Sequence, residues 1–189
     1  MSELAKLIAR RLCHDLSGPA GAIASVVEMM ADGTDAELLS LLADSSRTLV
    51  ATLRLYRFIH NNDAAGDWQA CLAEWVATRE GVTLAWGNVE GVAGDRAALL
   101  LGLALTALEA APGDAVLTVD ATGVGVTAAR LLFDAWVGAT LEGGPPATPR
   151  TSLAAMLHDA ATDQGQNIRV EATTTALALT LYQGSALPR

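Results

Sequence analysis

One histidine stands out because its position and its neighbours suit phosphoryl chemistry. His14 lies in a stretch where apolar residues recur at three- and four-residue steps, a spacing typical of a helix. At 100° per residue it points about 160° away from Leu12 and from Leu16, which belong to the apolar stripe. The periodicity therefore predicts an exposed imidazole. Imidazole is nucleophilic when neutral and titrates near physiological pH, so such a histidine can accept a phosphoryl group.

The helix face around His14 has almost no side-chain bulk. Ser17, Gly18 and Gly21 follow the histidine at the i+3, i+4 and i+7 positions. Glycine costs about 1 kcal/mol relative to alanine in a helix interior, so two glycines on one face indicate close approach of another macromolecule. Arg10 and Arg11 precede His14 on the same general face. We expect both arginines to attract an acidic pocket or a phosphoryl group.

Pro19 follows His14 by little more than one helical turn. Inside a continuous helix it cannot donate to the carbonyl of Asp15, and its ring would bend the chain there. Alternatively, Ser17 or Gly18 caps a new helix and Pro19 is the first residue of that helix. Both interpretations leave the histidine beside a helix irregularity.

Two apolar stripes predict two long helices at the start of the chain. Residues 3–31 carry the first stripe and residues 38–59 carry the second. Between them, Gly33 suits a helix C-terminus, and Thr34 or Asp35 suits the next N-cap. The short connection favours an antiparallel hairpin, and two hairpins would cover their stripes as a four-helix bundle in a homodimer. The alternative is that the hairpin packs on the rest of its own chain.

A polar cluster at residues 60–67 marks the predicted domain boundary. We take residues 1–63 as the helical hairpin and residues 64–189 as a second domain. In the second domain helical patterns mix with antiparallel strand patterns, which indicates a two-layer α/β sandwich and an α+β protein overall. Its four tryptophans are expected to pack in the core: they are Trp68, Trp75, Trp86 and Trp136.

Composition excludes several classes of protein. The net charge of −9, with only two Tyr and two Phe, argues against a nucleic-acid partner. Cys13 and Cys71 cannot form the disulfide framework of a small secreted fold, which favours a reducing compartment. The longest strongly apolar run, residues 97–108, is shorter than the roughly 20 residues that cross a bilayer. We therefore expect a soluble cytoplasmic protein without membrane contact and, since metal-ligand spacings are missing, without a metal of its own.

The sequence around the histidine resembles a known family. Residues 14–19 (HDLSGP) resemble the H-box of histidine-kinase dimerisation domains, and residues 12–23 (LCHDLSGPAGAI) resemble the ChpT-type histidine phosphotransferases more closely still. The resemblance implies a dimeric hairpin bundle followed by a degenerate Bergerat (histidine-kinase ATPase) domain. It also implies that His14 is the phosphorylated residue and that Asp15 assists or orients it.

The same resemblance implies a role in a phosphorelay. The partners would be receiver domains of a hybrid histidine kinase and of response regulators, and the receiver would bring the Mg²⁺. We expect no ATP binding and no cofactor, because residues 95–110 contain no Asn to hold a nucleotide-bound magnesium ion and a D-x-G-x-G motif is absent. Two alternatives remain open: an ATP-using sensor-kinase-like protein, and a non-catalytic dimeric adaptor in which His14 is inert.

Overall fold

Two long helices open the chain, and a five-stranded sheet with four more helices follows. The computed structural model describes residues 2–31, 33, 35–61 and 67–183. Within these ranges the helices are α1 (Glu3–Met30), α2 (Ala36–Asn61), α3 (Trp68–Val76), α4 (Gly94–Glu109), α5 (Ala135–Leu141) and α6 (Pro149–Asp163). The strands are β1 (Val82–Trp86), β2 (Ala115–Asp120), β3 (Gly123–Ala128), β4 (Gln166–Ala172) and β5 (Ala176–Gln183).

The sheet is mixed, with strand order β1-β2-β3-β5-β4. β1 and β2 run parallel and are joined through α4, whereas the other neighbouring pairs are antiparallel. Helices α4 and α6 contribute most of the apolar side chains that cover the sheet's buried side. The α+β class predicted from the sequence is confirmed.

Helix α1 is continuous through Pro19. The interpretation in which Pro19 begins a new helix is therefore wrong. The Ser17 hydroxyl donates to the carbonyl of Cys13, so it bonds within the same helix and does not cap another. At the other end of the hairpin, Asp35 Oδ1 accepts from the backbone N–H of Leu38 at 2.8 Å, which makes Asp35 the N-cap of α2. Thr34 lies outside the described residues.

The two helices of the hairpin are antiparallel and pack partly on their own chain. Arg11, near the start of α1, bonds to Tyr56, near the end of α2. The second half of α2 joins the main core, so at this end the hairpin packs on the rest of the chain. The predicted domain boundary after residue 63 lies outside the described residues.

Helix α4 is the centre of the core and fixes the position of α6. Every residue from Ala97 to Leu108 is buried, which agrees with the continuous apolar run in the sequence. A Cβ added at Gly102 would clash with Cδ2 of Leu157, so the glycine permits close contact between the two helices. This contact matters because the first turn of α6 supplies one wall of the cleft beside His14.

The tryptophans divide into two groups. Trp68 and Trp75 are buried as expected, at 6% and 1% exposure. Trp136 and Trp86 are 69% and 37% exposed, so their predicted places in the core are wrong. Trp136 lies two residues after Asp134, the N-cap of the short helix α5, and its backbone N–H donates to the Asp134 side chain. Within the described ranges, no helix combines the length and the hydropathy that a membrane crossing requires.

Candidate functional site

The His14 side chain projects into solvent from α1. It is 89% exposed, in agreement with the helical periodicity. Its Nδ1 atom lies 3.0 Å from Oδ1 of Asp15, the next residue in the helix. Adjacent residues on a helix point about 100° apart, so sequence spacing alone does not require this contact. The two side chains bend toward each other and form a pair.

This contact determines which imidazole nitrogen is available. An ionised carboxylate only accepts hydrogen bonds, so Nδ1 must carry the proton that it shares with Asp15. In the neutral ring the lone pair then lies on Nε2, on the side away from Asp15. The carboxylate also stabilises positive charge that develops on the ring when Nε2 forms a bond. The site therefore presents one nucleophilic nitrogen to an incoming group.

Asp15 is held in place from its other oxygen. The Tyr56 hydroxyl donates to Oδ2, and the guanidinium Nε of Arg11 lies 3.6 Å from the same atom. Arg11 Nε also donates to the Tyr56 oxygen at 3.2 Å. Burial raises the pKa of Tyr56 well above its usual value, so the hydroxyl keeps the proton that it donates. With Oδ2 engaged, Oδ1 remains for His14.

Arg11 does not lie on the exposed face where we expected it. It is only 5% exposed, and its expected role as a surface docking residue is wrong. Nη1 donates to the carbonyl of Arg150 on α6 at 3.1 Å, and Nη2 donates to Glu109 at the end of α4. Burial by itself lowers the pKa of Arg11, but the charges of Glu109 and Asp15 and the hydrogen bond to Tyr56 outweigh it and the pKa is raised. Arg10, one residue earlier, is exposed.

The small-residue face is open. Ser17, Gly18 and Gly21 are all exposed. A Cβ added at Gly18 or at Gly21 would meet no atom within 4 Å. Neither glycine is therefore required for packing inside this chain. The presence of the two glycines is then best explained by contact with another molecule, and the docking role of this face stays a prediction.

A cleft of about 860 Å³ lies directly beside His14, between the hairpin and the rest of the chain. Its wall also includes apolar and hydroxyl side chains from α2, α4 and the start of α6. The charged side chains of the wall are Arg10, Arg11, Arg79, Arg150, Asp15, Glu109 and Asp134. No set of three or more His, Cys, Asp or Glu side chains within the described ranges forms a possible metal site.

Sequence reasoning missed the residues that come from elsewhere in the chain. Tyr56, Glu109 and Arg150 reach Asp15 and Arg11 from α2, α4 and α6, and no local spacing connects them. One signal was present: Leu7, a buried residue, precedes Arg11 by one helical turn, so the arginine shares the face of a core residue.

Comparison with solved structures gives a similar fold over nearly the whole chain. A bacterial phosphotransferase solved at 1.7 Å matches with a TM-score of 0.79 and 21% sequence identity, covering 96% of this chain and 98% of that one. At this identity the similarity establishes the fold. No family model matches the chain, and no curated protein matches it.

Arg11→Gln should lower the free energy of unfolding by about 2–3 kcal/mol, because Glu109 and the Tyr56 hydroxyl lose a buried donor. Urea unfolding monitored by circular dichroism measures this change. Arg10→Gln is the matched control, since Arg10 is the exposed neighbour, and it should stay within about 0.5 kcal/mol of wild type. Equal losses in the two variants would contradict the anchoring role assigned to Arg11.

Proposed function

We propose that the protein is a histidine phosphotransferase of a bacterial two-component phosphorelay. In this role His14 accepts a phosphoryl group from a receiver-domain aspartate and passes it to a response regulator. The observation that carries the proposal is the pairing of Nδ1 with Asp15, which leaves Nε2 of an 89% exposed imidazole as the available nucleophile. The open face at Gly18 and Gly21 gives a partner room to reach that atom.

The transfer needs little chemistry from this chain. Nε2 attacks the phosphorus of the aspartyl phosphate, the P–O bond to the receiver breaks, and the aspartate leaves as a carboxylate. Nδ1 keeps its proton, and Asp15 stabilises the positive charge on the ring. In the second transfer an aspartate oxygen of the next receiver attacks phosphorus and Nε2 recovers its lone pair. The N–P bond is labile, which suits this onward step. Positioning supplies most of the catalysis, and we expect the Mg²⁺ to come with the receiver.

Two similarities support the proposal. The solved structure that shares the fold is described as a bacterial phosphotransferase. Residues 12–23 resemble the ChpT-type histidine phosphotransferases, and the histidine of that resemblance is the one with the oriented, exposed ring. We interpret the second domain, predicted at residues 64–189, as a degenerate Bergerat domain that serves as a second docking surface. Helix α4, which would carry the magnesium-binding Asn of an active ATPase domain, contains none, and we expect no cofactor.

A homodimer would complete the hairpin. The apolar stripe predicted on α1 is covered only in part by the rest of the chain, and Val27 on that stripe is 54% exposed. On α2, Leu39, Val50 and Leu53 are 46–49% exposed and fall within about 60° of one another around the helix axis. A second copy that covers these side chains would give the four-helix bundle expected from the sequence. The bundle would leave the opposite, glycine-rich face of α1 accessible.

The labelling experiment tests the proposal directly. The full chain is incubated with a receiver domain that carries radiolabelled phosphate on its aspartate, and label on the chain is followed by gel electrophoresis. Wild type should become labelled with an acid-labile, base-stable phosphohistidine, whereas His14→Ala should take up none. Equal label on both proteins would exclude His14, and absence of label on wild type with every receiver tried would exclude the relay function.

Tyr56→Phe should slow transfer about tenfold at saturating receiver, because Asp15 loses a hydrogen bond that holds it toward His14. The aromatic ring remains in the core, where it stacks on His60, so folding should be preserved. Tyr182→Phe is the control: this second tyrosine lies on β5 and contacts Arg169. The transfer rate is measured at saturating receiver because a change in receiver affinity alone would not alter it there. An unchanged rate in Tyr56→Phe would contradict the orienting role of the hydroxyl.

Gly18→Leu should reduce transfer by at least tenfold while the fold remains, because its side chain enters space that a receiver needs and that no residue of this chain occupies. Gly18→Ala should retain transfer and gain up to about 1 kcal/mol in helix stability. Gly113→Leu, at another glycine with open space around it, controls for added apolar bulk. Light scattering should give about twice the 19.5 kDa chain mass for all variants. Full transfer by Gly18→Leu would remove the docking argument.

A further inference from the structure

The cleft beside His14 reverses the charge balance of the chain. The whole sequence has 12 Lys and Arg against 21 Asp and Glu. The wall of this cleft instead combines four arginines with three acidic residues, and the imidazole stands at its edge. The structure thus gathers a third of the chain's basic side chains around one cavity. The four positive charges exceed the three negative ones, so this cleft favours anions more than the chain as a whole does.

Arg79 has a buried donor, its Nε atom, that forms no hydrogen bond within the described residues. The guanidinium carbon lies 4.2 Å from the centre of the Trp75 ring, so the flat face of the group is stacked. The buried Nε is out of a ligand's reach, but the two Nη amino groups lie in the same guanidinium plane, and stacking leaves them able to donate. Burial lowers the pKa of Arg79, and the nearby charges of Glu109 and Asp15 offset only part of this effect.

The other three arginines differ in what they can offer a ligand. Arg11 already donates to Glu109, Tyr56 and a backbone carbonyl, so it mainly holds the wall together. Arg10 and Arg150 are exposed and lie on the wall of the same cleft. A ligand in the cleft would therefore lie on the same wall as these two positive charges.

We propose that this cleft binds a small molecule that carries a phosphate or pyrophosphate group, with Arg79 as its principal donor. A guanidinium fork matches the oxygens of a phosphate, and several arginines favour a multivalent oxyanion over a single carboxylate. The volume of about 860 Å³ lies within the range of small-molecule sites. The inference goes beyond the proposed phosphotransfer and does not depend on it. If His14 is also a phosphoryl acceptor, a bound anion beside it would repel an incoming phosphoryl group.

Calorimetric titration of the full chain with inorganic pyrophosphate tests the site, at low ionic strength because salt screens such contacts. Wild type should bind pyrophosphate with a Kd below about 1 mM. Arg79→Gln should weaken binding about tenfold or more, since it removes charge-assisted hydrogen bonds. Arg169→Gln is the matched control, because Arg169 also stacks on an aromatic ring, that of Tyr182, but lies outside the cleft. It should bind like wild type.

Three results would overturn the proposal: no binding of pyrophosphate by wild type up to about 10 mM, equal weakening by Arg79→Gln and Arg169→Gln, or acetate bound as tightly as pyrophosphate. Circular dichroism checks that each variant is folded. If Arg79→Gln does not fold, the double variant Arg10→Gln/Arg150→Gln takes its place, since both side chains are exposed. That variant should also weaken binding, and unchanged affinity would count against the site.

Discussion

The arrangement of the site depends on one buried guanidinium. Arg11 lies on α1 and donates to Tyr56 on α2, Glu109 on α4 and the carbonyl of Arg150 on α6. A planar group with five donors is well suited to join several elements at fixed angles, which an ammonium group is not. Because the bonds reach three other helices, they set both the rotation of α1 about its axis and its position against the second part of the chain. His14 follows less than one turn later, so its direction is set as well.

Exposure falls sharply along the line of contacts that starts at His14. The imidazole is 89% exposed, the Asp15 side chain is 24% exposed, and Tyr56 and Arg11 are 4% and 5% exposed. The reactive atom can therefore be reached by a large partner, while the groups that orient it are held within the protein. A site built in this way needs no enclosed pocket, because the geometry is fixed from beneath the surface. That property fits the phosphotransfer that we propose between His14 and a receiver domain.

The cleft follows from the same packing. Because Arg11 holds α1 against α4 and α6 at one end, a gap remains beside it that receives side chains from six separated stretches of sequence. Arg79 enters this gap from the segment after α3, while Pro149 begins α6 on another wall. The gap is lined by charged groups because the hairpin and the second part of the chain meet there through an ion-pair network and not through apolar side chains alone.

Local sequence was enough to predict the hairpin, the exposure of His14 and the open glycine face, because each depends only on helical periodicity and on missing side-chain volume. The strands and the α+β class also followed from local patterns. Periodicity gives a direction around the helix axis, however, and it does not say which directions another helix will cover. Arg10 and Arg11 look alike on that basis, yet one is exposed and the other is buried, because α4 and α6, about 100 or more residues later in the chain, pack against only one of them. Tyr56, Glu109, Arg79 and Arg150 were brought together by the same tertiary contacts, which no spacing within a single element encodes.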